Sequence, residues 1–407
     1  MIRYILLLIL PFLLHANLTY ESNNKKDLAL LKSFDVNASF IHDQRMNQMK
    51  QATLKKDDHF FQAIVNADDV IPTIKETLSK YKVPKEFLYL AMAESNFQMK
   101  AYSSKRAAGL WQFMPKTATK YGLKIDEYVD ERRDLVKSTK AAATYLSFLH
   151  DMFGKWYLAA IAYNCGEGRL LDAIDKAGSD ELAVLLDEEK KYIPLESRNY
   201  IRKIIALALI GSDEEYLMKS EYAYLLDRSD ENGIATVKIS SGESLSRISE
   251  LLKMPLADLK ELNGHLKYDF VPPYKGGYDI YIPHEKLADF KRKYTKESIA
   301  KIYKIHTVQA GDNLSKIGKK YGVSYHVIKD FNNLHSNRLK IKQKLIIPIP
   351  KKSKSHQLLS KNYYMVKRGD SLESIARRHH VSVQMIRQQN NLKGSFIKAG
   401  ERLKIYE

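Results

Sequence analysis

Apolar residues recur at three- and four-residue intervals through residues 70–212, a period that predicts a succession of amphipathic helices. The predicted segments run over 71–81, 84–97, 116–121, 135–153, 156–163, 168–177 and 197–210. Strand-like alternation is nearly absent there, so this stretch is expected to be an all-α domain, closed by Gly211-Ser212-Asp213-Glu214-Glu215. Residues 17–70 are polar with scattered apolar positions (Leu28, Leu31, Phe34, Phe40, Phe60, Phe61). They are expected to form irregular structure and short helices packed onto that domain. Beyond residue 234 the pattern changes to short alternating segments followed by Leu and Ile at helical spacing.

One position breaks the helical pattern. Stepping back three, four and seven residues from Glu94 gives Ala91, Leu90 and Phe87, and stepping forward three gives Phe97. Residues at those offsets share a helix face, so the Glu94 carboxyl points where apolar side chains point. Burial disfavours the charged form and raises a carboxyl pKa, and a carboxylic acid kept protonated near neutral pH can protonate a leaving group. The same periodicity also fits a glutamate that salt-bridges or snorkels at a helix end.

The second half contains an internal repeat. Val237–Ile248, Val308–Ile317 and Val366–Ile375 share a glycine (Gly242, Gly311, Gly369) followed three residues later by Leu245, Leu314 or Leu372. An asparagine lies 21 residues after each glycine, at Asn263, Asn332 and Asn390. A terminal strand is expected at Tyr281-Ile282-Pro283, Ile346-Ile347-Pro348 and Leu403-Lys404-Ile405. From the asparagine to the strand isoleucine is 15 residues in the second and third copies and 19 in the first, which carries an inserted Pro272-Pro273-Tyr274-Lys275-Gly276-Gly277. Each unit reads strand, two short helices, strand. Residues 284–303 are expected to form a charged helical spacer, and 351–361 a polar linker.

Length, charge and cysteine content narrow the picture. A chain of 407 residues has room for a sizeable core plus smaller modules. The net charge of +18 is concentrated at the C-terminal end, where residues 301–407 hold 23 Lys and Arg against 6 Asp and Glu. Such a module favours a polyanionic partner. Met1-Ile2-Arg3-Tyr4, an apolar run over 5–14 and then His15-Ala16 describe a secretory signal peptide over residues 1–16, too short to span a bilayer. Export makes nucleic acid the least plausible polyanion, and no stable membrane insertion is expected after signal cleavage. The single cysteine, Cys165, excludes an intramolecular disulfide and a cysteine-based metal site. No histidine pair has clear metal-ligand spacing, so no metal and no cofactor are expected.

Downstream of Glu94-Ser95-Asn96-Phe97 come Ser103, nine residues after the glutamate, then Gly109-Leu110-Trp111-Gln112-Phe113-Met114-Pro115, then Ala162-Tyr163-Asn164-Cys165-Gly166-Glu167-Gly168-Arg169, then Ile193–Tyr200. In these motifs the chain resembles goose-lysozyme-like lytic transglycosylases of the soluble-lytic-transglycosylase (SLT) type. The repeats resemble LysM modules, small βααβ domains that bind N-acetylglucosamine-containing glycans. The resemblance implies a mainly α, lysozyme-like catalytic domain followed by three small α+β LysM modules. The expected boundaries are an N-terminal extension over 17–65, the catalytic domain over 66–212, a degenerate LysM-like module over 234–284, and LysM modules over 304–350 and 362–406.

The resemblance also implies roles. Glu94 matches the family's single acid/base. Tyr163 matches the tyrosine whose hydroxyl orients it, Ser103 the serine near the glutamate and the substrate acetamido group, and Gln112 and Met114 the muramic acid subsite. Asn164 and Glu196 match polar positions lining the cleft. Tyr163 and Met114 also fit as core side chains, and Gln112 as a partner for backbone groups. In the LysM family the glycan groove lies between the strand–helix loop and the loop after the second helix. This points to Gly311 and Asp312 with Asn332, and to Gly369 and Asp370 with Asn390. The implied partner is peptidoglycan, and the implied reaction cleaves the bond after N-acetylmuramic acid with a 1,6-anhydro product. A muramidase using water, with Glu196 or Glu167 activating it, and a non-catalytic wall-binding protein are the alternatives. Membrane-bound relatives carry a lipid-bearing cysteine after the signal sequence. This chain has none there, so a periplasmic, wall-associated protein is expected.

Overall fold

The computed structural model describes residues 25–55, 59–67, 70–219, 233–272, 274–294, 303–332, 334–348, 362–379, 381–390, 392 and 394–405. The signal segment over 1–16 and the linker over 351–361 lie outside the described residues.

The first unit is helical. Helix α1 spans residues 25–33, followed by α2 (Gln44–Lys55), α3 (His59–Asn66), α4 (Ile71–Lys80), α5 (Leu88–Ser95) and α6 (Pro115–Lys120). Then come α7 (Leu135–Phe153), α8 (Trp156–Cys165), α9 (Glu167–Ala177), α10 (Leu182–Leu185), α11 (Leu195–Ser212) and α12 (Glu214–Lys219). Helix α7 has the bounds its sequence signals dictate. The Asp134 carboxylate accepts from the Lys137 N–H at the N-terminus, and Gly154 takes a left-handed φ of 74° at the C-terminus. At its heart the core holds the fully buried Leu90, Trp111, Leu146, Leu158, Ile161, Ile201 and Ile204.

One expectation changes. The helix carrying Glu94 stops at Ser95, because Asn96 (φ 50°) and Phe97 (φ 60°) are left-handed; a three-residue 3-10 turn, Lys85–Phe87, precedes it. Phe97 is buried, but the turn puts it there rather than helical periodicity. The N-terminal extension is part of the same core. Leu31, Phe34 and Met46 are completely buried, the Tyr157 N–H donates to the Phe34 carbonyl at 3.0 Å, and the Arg202 guanidinium on α11 meets Asp43 at 3.2 Å. Sparse apolar residues suffice here because Leu31, Phe34 and Met46 are large and fully buried.

Three βααβ units follow, each with one antiparallel strand pair. Strand β1 (Ile234–Ile239) pairs with β2 (Tyr278–Pro283), β3 (Tyr303–Thr307) with β4 (Lys344–Pro348), and β5 (Asn362–Met365) with β6 (Arg402–Ile405). Between them lie α13 (Leu245–Leu252) and α14 (Leu256–Leu262), then α15 (Leu287–Lys293) in the spacer, α16 (Leu314–Tyr321) and α17 (Tyr325–Phe331), and finally α18 (Leu372–Arg378) and α19 (Val383–Gln389). Leu314 and Ile317, like Leu372 and Ile375, are core residues. Residues 284–293 of the spacer are helical, and Phe290 of α15 is buried against the first βααβ unit.

Candidate active site

Glu94 sits in the last turn of α5 and is partly buried. Its Oε1 accepts a 2.6 Å hydrogen bond from the hydroxyl of Tyr200 on α11. Pro194 precedes α11, and Ser197, Tyr200, Ile201 and Ile204 lie on its buried face, so the helix that completes the core also brings a phenol to the carboxyl. Lys203, three residues further along the same helix, donates from its ammonium to the Ala93 carbonyl at 2.7 Å. Burial raises the Glu94 pKa above its ordinary value; the Tyr200 hydrogen bond and the Lys203 charge oppose the shift, and the charge of the exposed Glu196 adds to it. Burial also lowers the Lys203 pKa, against the pull of Glu94.

Residues 102–114 adjoin this junction. Ser95 joins them to α5 by donating its hydroxyl to the Leu110 carbonyl at 2.8 Å. Trp111 is fully buried and donates its indole N–H to Thr139 Oγ1 on α7 at 3.0 Å. Gln112 has a left-handed φ of 48°, and its amide donates to the Gly109 carbonyl at 2.8 Å, so it satisfies a backbone group. Gly109 is required for close approach: a Cβ there would lie 1.8 Å from the Arg132 carbonyl oxygen. Ser103 Oγ accepts from the Ala107 N–H at 3.0 Å. Met114 is 44% exposed, so it is not a core residue.

Tyr163 corrects an expectation. Its hydroxyl donates to the Trp111 carbonyl at 2.8 Å and not to Glu94; the hydrogen bond expected of it belongs to Tyr200. Tyr163 nevertheless lies close enough that Glu94 helps, after burial, to push its own pKa well up. Asn164 Oδ1 accepts from Ser197 Oγ at 2.6 Å, tying α8 to α11. The Cys165 thiol is partly buried and raised by burial, which disfavours a thiolate nucleophile. The structure therefore groups Glu94, Tyr163, Asn164 and Glu196 around the α5–α8–α11 junction, and Ser103, Gln112 and Met114 lie on the 102–114 segment, which joins that junction through Leu110 and Trp111. Such an arrangement can hold a protonated carboxyl beside a bound polymer and reload it with a proton. Among the described residues no group of three His, Cys, Asp or Glu could hold a metal ion, and no helix is long and apolar enough to cross a membrane.

Residues 72–185, which contain this site, match the family described as "Transglycosylase SLT domain". Residues 306–348 and 364–405 match the LysM domain, and residues 233–299 match the family described as "Lytic transglycosylase MltD, LysM-like domain". The chain is an SLT-type lytic transglycosylase with LysM modules. It is 29% identical over 382 residues to the membrane-bound lytic murein transglycosylase D of Escherichia coli (strain K12), covering 89% of this chain and 81% of that protein. It is 32% identical over 212 residues to N-acetylmuramoyl-L-alanine amidase sle1 of Staphylococcus epidermidis, covering 50% of this chain and 59% of that one. Among solved structures, the 70 kDa soluble lytic transglycosylase from Escherichia coli aligns over 37% of this chain and 25% of its own length, at 23% identity and a TM-score of 0.30.

In the LysM modules of this transglycosylase the residues marked by the repeat do two different things. Gly311 (φ 85°) and Gly369 (φ 92°) make the left-handed turn before each first helix. Asp312 Oδ2 accepts from the Gln309 N–H at 2.8 Å and contacts His306 Nε2 at 2.9 Å; Asp370 Oδ2 accepts from the Lys367 N–H at 2.8 Å and from the Tyr364 hydroxyl at 2.6 Å. Asn332 donates to the Ile328 and Ile346 carbonyls and accepts from the Ile346 N–H. Asn390 does the same with Ile386 and Lys404, and Asn263 with Leu259 and Tyr281. Both amide protons are used in each case. As glycan contacts Asn332 and Asn390 are therefore corrected: they pin the second helix to the closing strand. Asn333 and Asn391 lie outside the described residues.

Proposed function

We propose that the chain cleaves the β-1,4 bond between N-acetylmuramic acid and N-acetylglucosamine in peptidoglycan and leaves 1,6-anhydromuramic acid ends, with Glu94 as the single general acid and base. Protonated Glu94 gives its proton to the bridging oxygen, and the glycosidic bond breaks toward an oxocarbenium-like or oxazolinium species assisted by the 2-acetamido group. The resulting carboxylate takes the proton from the muramic C6 hydroxyl, whose oxygen closes onto C1. The substrate supplies the nucleophile, so effective molarity takes the place of a second carboxylate.

The observation that carries this reading is the environment of Glu94. Burial favours the protonated form that the first step needs, while the Tyr200 hydroxyl at 2.6 Å stabilises the carboxylate that the second step needs. Glu196, the carboxylate whose charge Glu94 feels, is exposed rather than held against a site for water. Digestion of purified peptidoglycan followed by mass analysis tests the reading. Ends lighter by one water support it, and reducing ends establish a muramidase instead.

The exposed turns at Gly311 and Gly369, in the cationic C-terminal part of the chain, support glycan retention by the second and third modules. With the signal segment over 1–16, they support an exported, periplasmic protein held at the cell wall. Deleting residues 304–407 is expected to weaken pelleting with sacculi, with a salt-sensitive component, and to leave the bond chemistry unchanged. Unchanged pelleting contradicts the anchoring role.

A further inference from the structure

The first repeat departs from the other two at the place where a glycan would lie. In the second and third copies the turn glycines are exposed, and among the described residues the backbone pairing with the loop after the second helix stops at Val308 and Val366, before the turn itself. In the first copy that opening is closed by the chain itself. The Gly242 N–H donates to the Val271 carbonyl at 2.9 Å, the Val271 N–H to the Glu243 carbonyl at 2.8 Å, and the Leu245 N–H to the Asp269 carbonyl at 3.1 Å. Glu243, Ser244 and Val271 are buried as a result, at 3%, 2% and 0% exposure.

The opposite side of this repeat is committed to the catalytic domain. Four tyrosine hydroxyls donate to four carboxylates in one short stretch: Tyr274 to Asp126 at 2.5 Å, Tyr268 to Glu127 at 3.0 Å, Tyr278 to Glu131 at 2.7 Å and Tyr281 to Asp134 at 2.6 Å. Tyr274 belongs to the insertion that the other copies lack, and the Lys124 ammonium lies 3.3 Å from its ring centroid. Backbone pairing runs through the same seam, from the Asp130 N–H to the His265 carbonyl and from the Lys267 N–H to the Tyr128 carbonyl, both at 2.9 Å. Tyr128 and Val129 are buried in the hydrophobic core of the repeat.

The stretch so gripped also holds the 106–113 segment. Arg132, paired with Asp130 at 2.8 Å, donates to the Arg106 carbonyl at 2.7 Å and to the Phe113 carbonyl at 3.1 Å. The Arg132 carbonyl is the group that Gly109 packs against, and Asp134 caps the helix whose Thr139 receives the Trp111 indole. We infer that the repeat over 234–283 is a brace for the catalytic cleft, not a glycan-binding module: it clamps residues 126–134, which fasten the 106–113 segment adjoining the Glu94 helix. Tyr278 and Tyr281 are its main positioning residues. The inference rests on the reading of Glu94 and the adjoining segment as the active site.

Hydrogen–deuterium exchange on the full chain tests it. In Tyr278→Phe/Tyr281→Phe, amides of 106–113 are expected to exchange at least about threefold faster, and kcat on soluble glycan strands to fall by a similar factor with KM nearly unchanged. Tyr294→Phe loses only the bonds that tie the spacer to the repeat, from the Ser240 N–H at 2.9 Å and to the Ser240 hydroxyl at 3.3 Å, and is expected to leave both readouts alone. Equal exchange in the double variant and the parent, or equal acceleration in Tyr294→Phe, overturns the brace. If the double variant does not fold, Tyr274→Phe at the rim of the seam gives the same readout. In a second arm, a soluble N-acetylglucosamine pentamer should slow exchange around 311–314 or 369–372 and leave 242–245 and 269–271 unchanged; slowing in the latter segments refutes the closed groove. Exchange at 106–113 does not depend on which product is formed, so failure of the anhydro-product reading is separable from failure of the brace.

Discussion

Glu94 and Asp134 are two carboxyl groups of one domain, each accepting a 2.6 Å hydrogen bond from a tyrosine and each raised in pKa by burial. They differ in access. Asp134 is fully buried, caps α7 with one oxygen, and has its other oxygen 3.6 Å from the equally buried His265 ring. Glu94 is only partly buried, borders the 102–114 segment, and no backbone N–H is bonded to it among the described residues. A raised carboxyl pKa therefore does not distinguish a reacting group from a structural one in this molecule. Access for a substrate does.

The sharpest way to break this comparison is Glu94→Gln. It keeps the shape and loses the proton, so turnover on peptidoglycan is expected to fall by a factor of about 100 to 10,000 while binding to sacculi and melting temperature are retained. Substantial residual lysis means that another acid does the work.

The next effect concerns stability against pH. Burial, opposed by Lys137, raises the folded-state pKa of Asp134 to about 6, so protonation stabilises the fold as pH falls from 6 toward the ordinary carboxyl range. His265 acts in the opposite sense. Burial lowers its folded-state pKa to about 3, so stability is lost as pH falls below 6.5, where the unfolded imidazole takes up a proton. In the parent protein the two largely cancel between pH 6 and 4. Asp134→Asn removes only the first, and denaturant titrations should show the variant losing about 2–3 kcal/mol more than the parent over that interval. Parallel curves contradict the assignment.

A smaller effect is expected from Tyr200→Phe. Losing a hydrogen bond to the ionised form raises the Glu94 pKa further, so the alkaline fall in activity should move to higher pH and kcat should drop about tenfold. The same change at Tyr163 leaves the Glu94 hydrogen bond in place, so its pH profile should match the parent. A shift in Tyr163→Phe alone would restore the role first expected of that tyrosine.

Sequence periodicity located the helices where local signals agree, as for α7 between its aspartate cap and Gly154. It overran α5, because a left-handed Asn96 is a property of the turn and not of apolar spacing. The glutamate was legible as a misplaced charge. Which of two helical tyrosines reaches it was not, since that depends on how α8 and α11 pack. The 21-residue glycine–asparagine register was plain in all three repeats, but an asparagine tying a helix to a strand and one facing a sugar look alike in a sequence. The acidic stretch 126–134 resembles a solvated surface run until tyrosines more than 140 positions away close over it. Long-range pairing of that kind leaves no local trace.

The central claim, that one carboxyl suffices because the substrate supplies its own nucleophile, is tested most directly by digesting peptidoglycan in oxygen-18 water and weighing the products. The account predicts anhydro ends with no label in the fragments released by the parent protein and almost no release by Glu94→Gln. One oxygen-18 atom in each new reducing end would show that water attacks C1, and would contradict it.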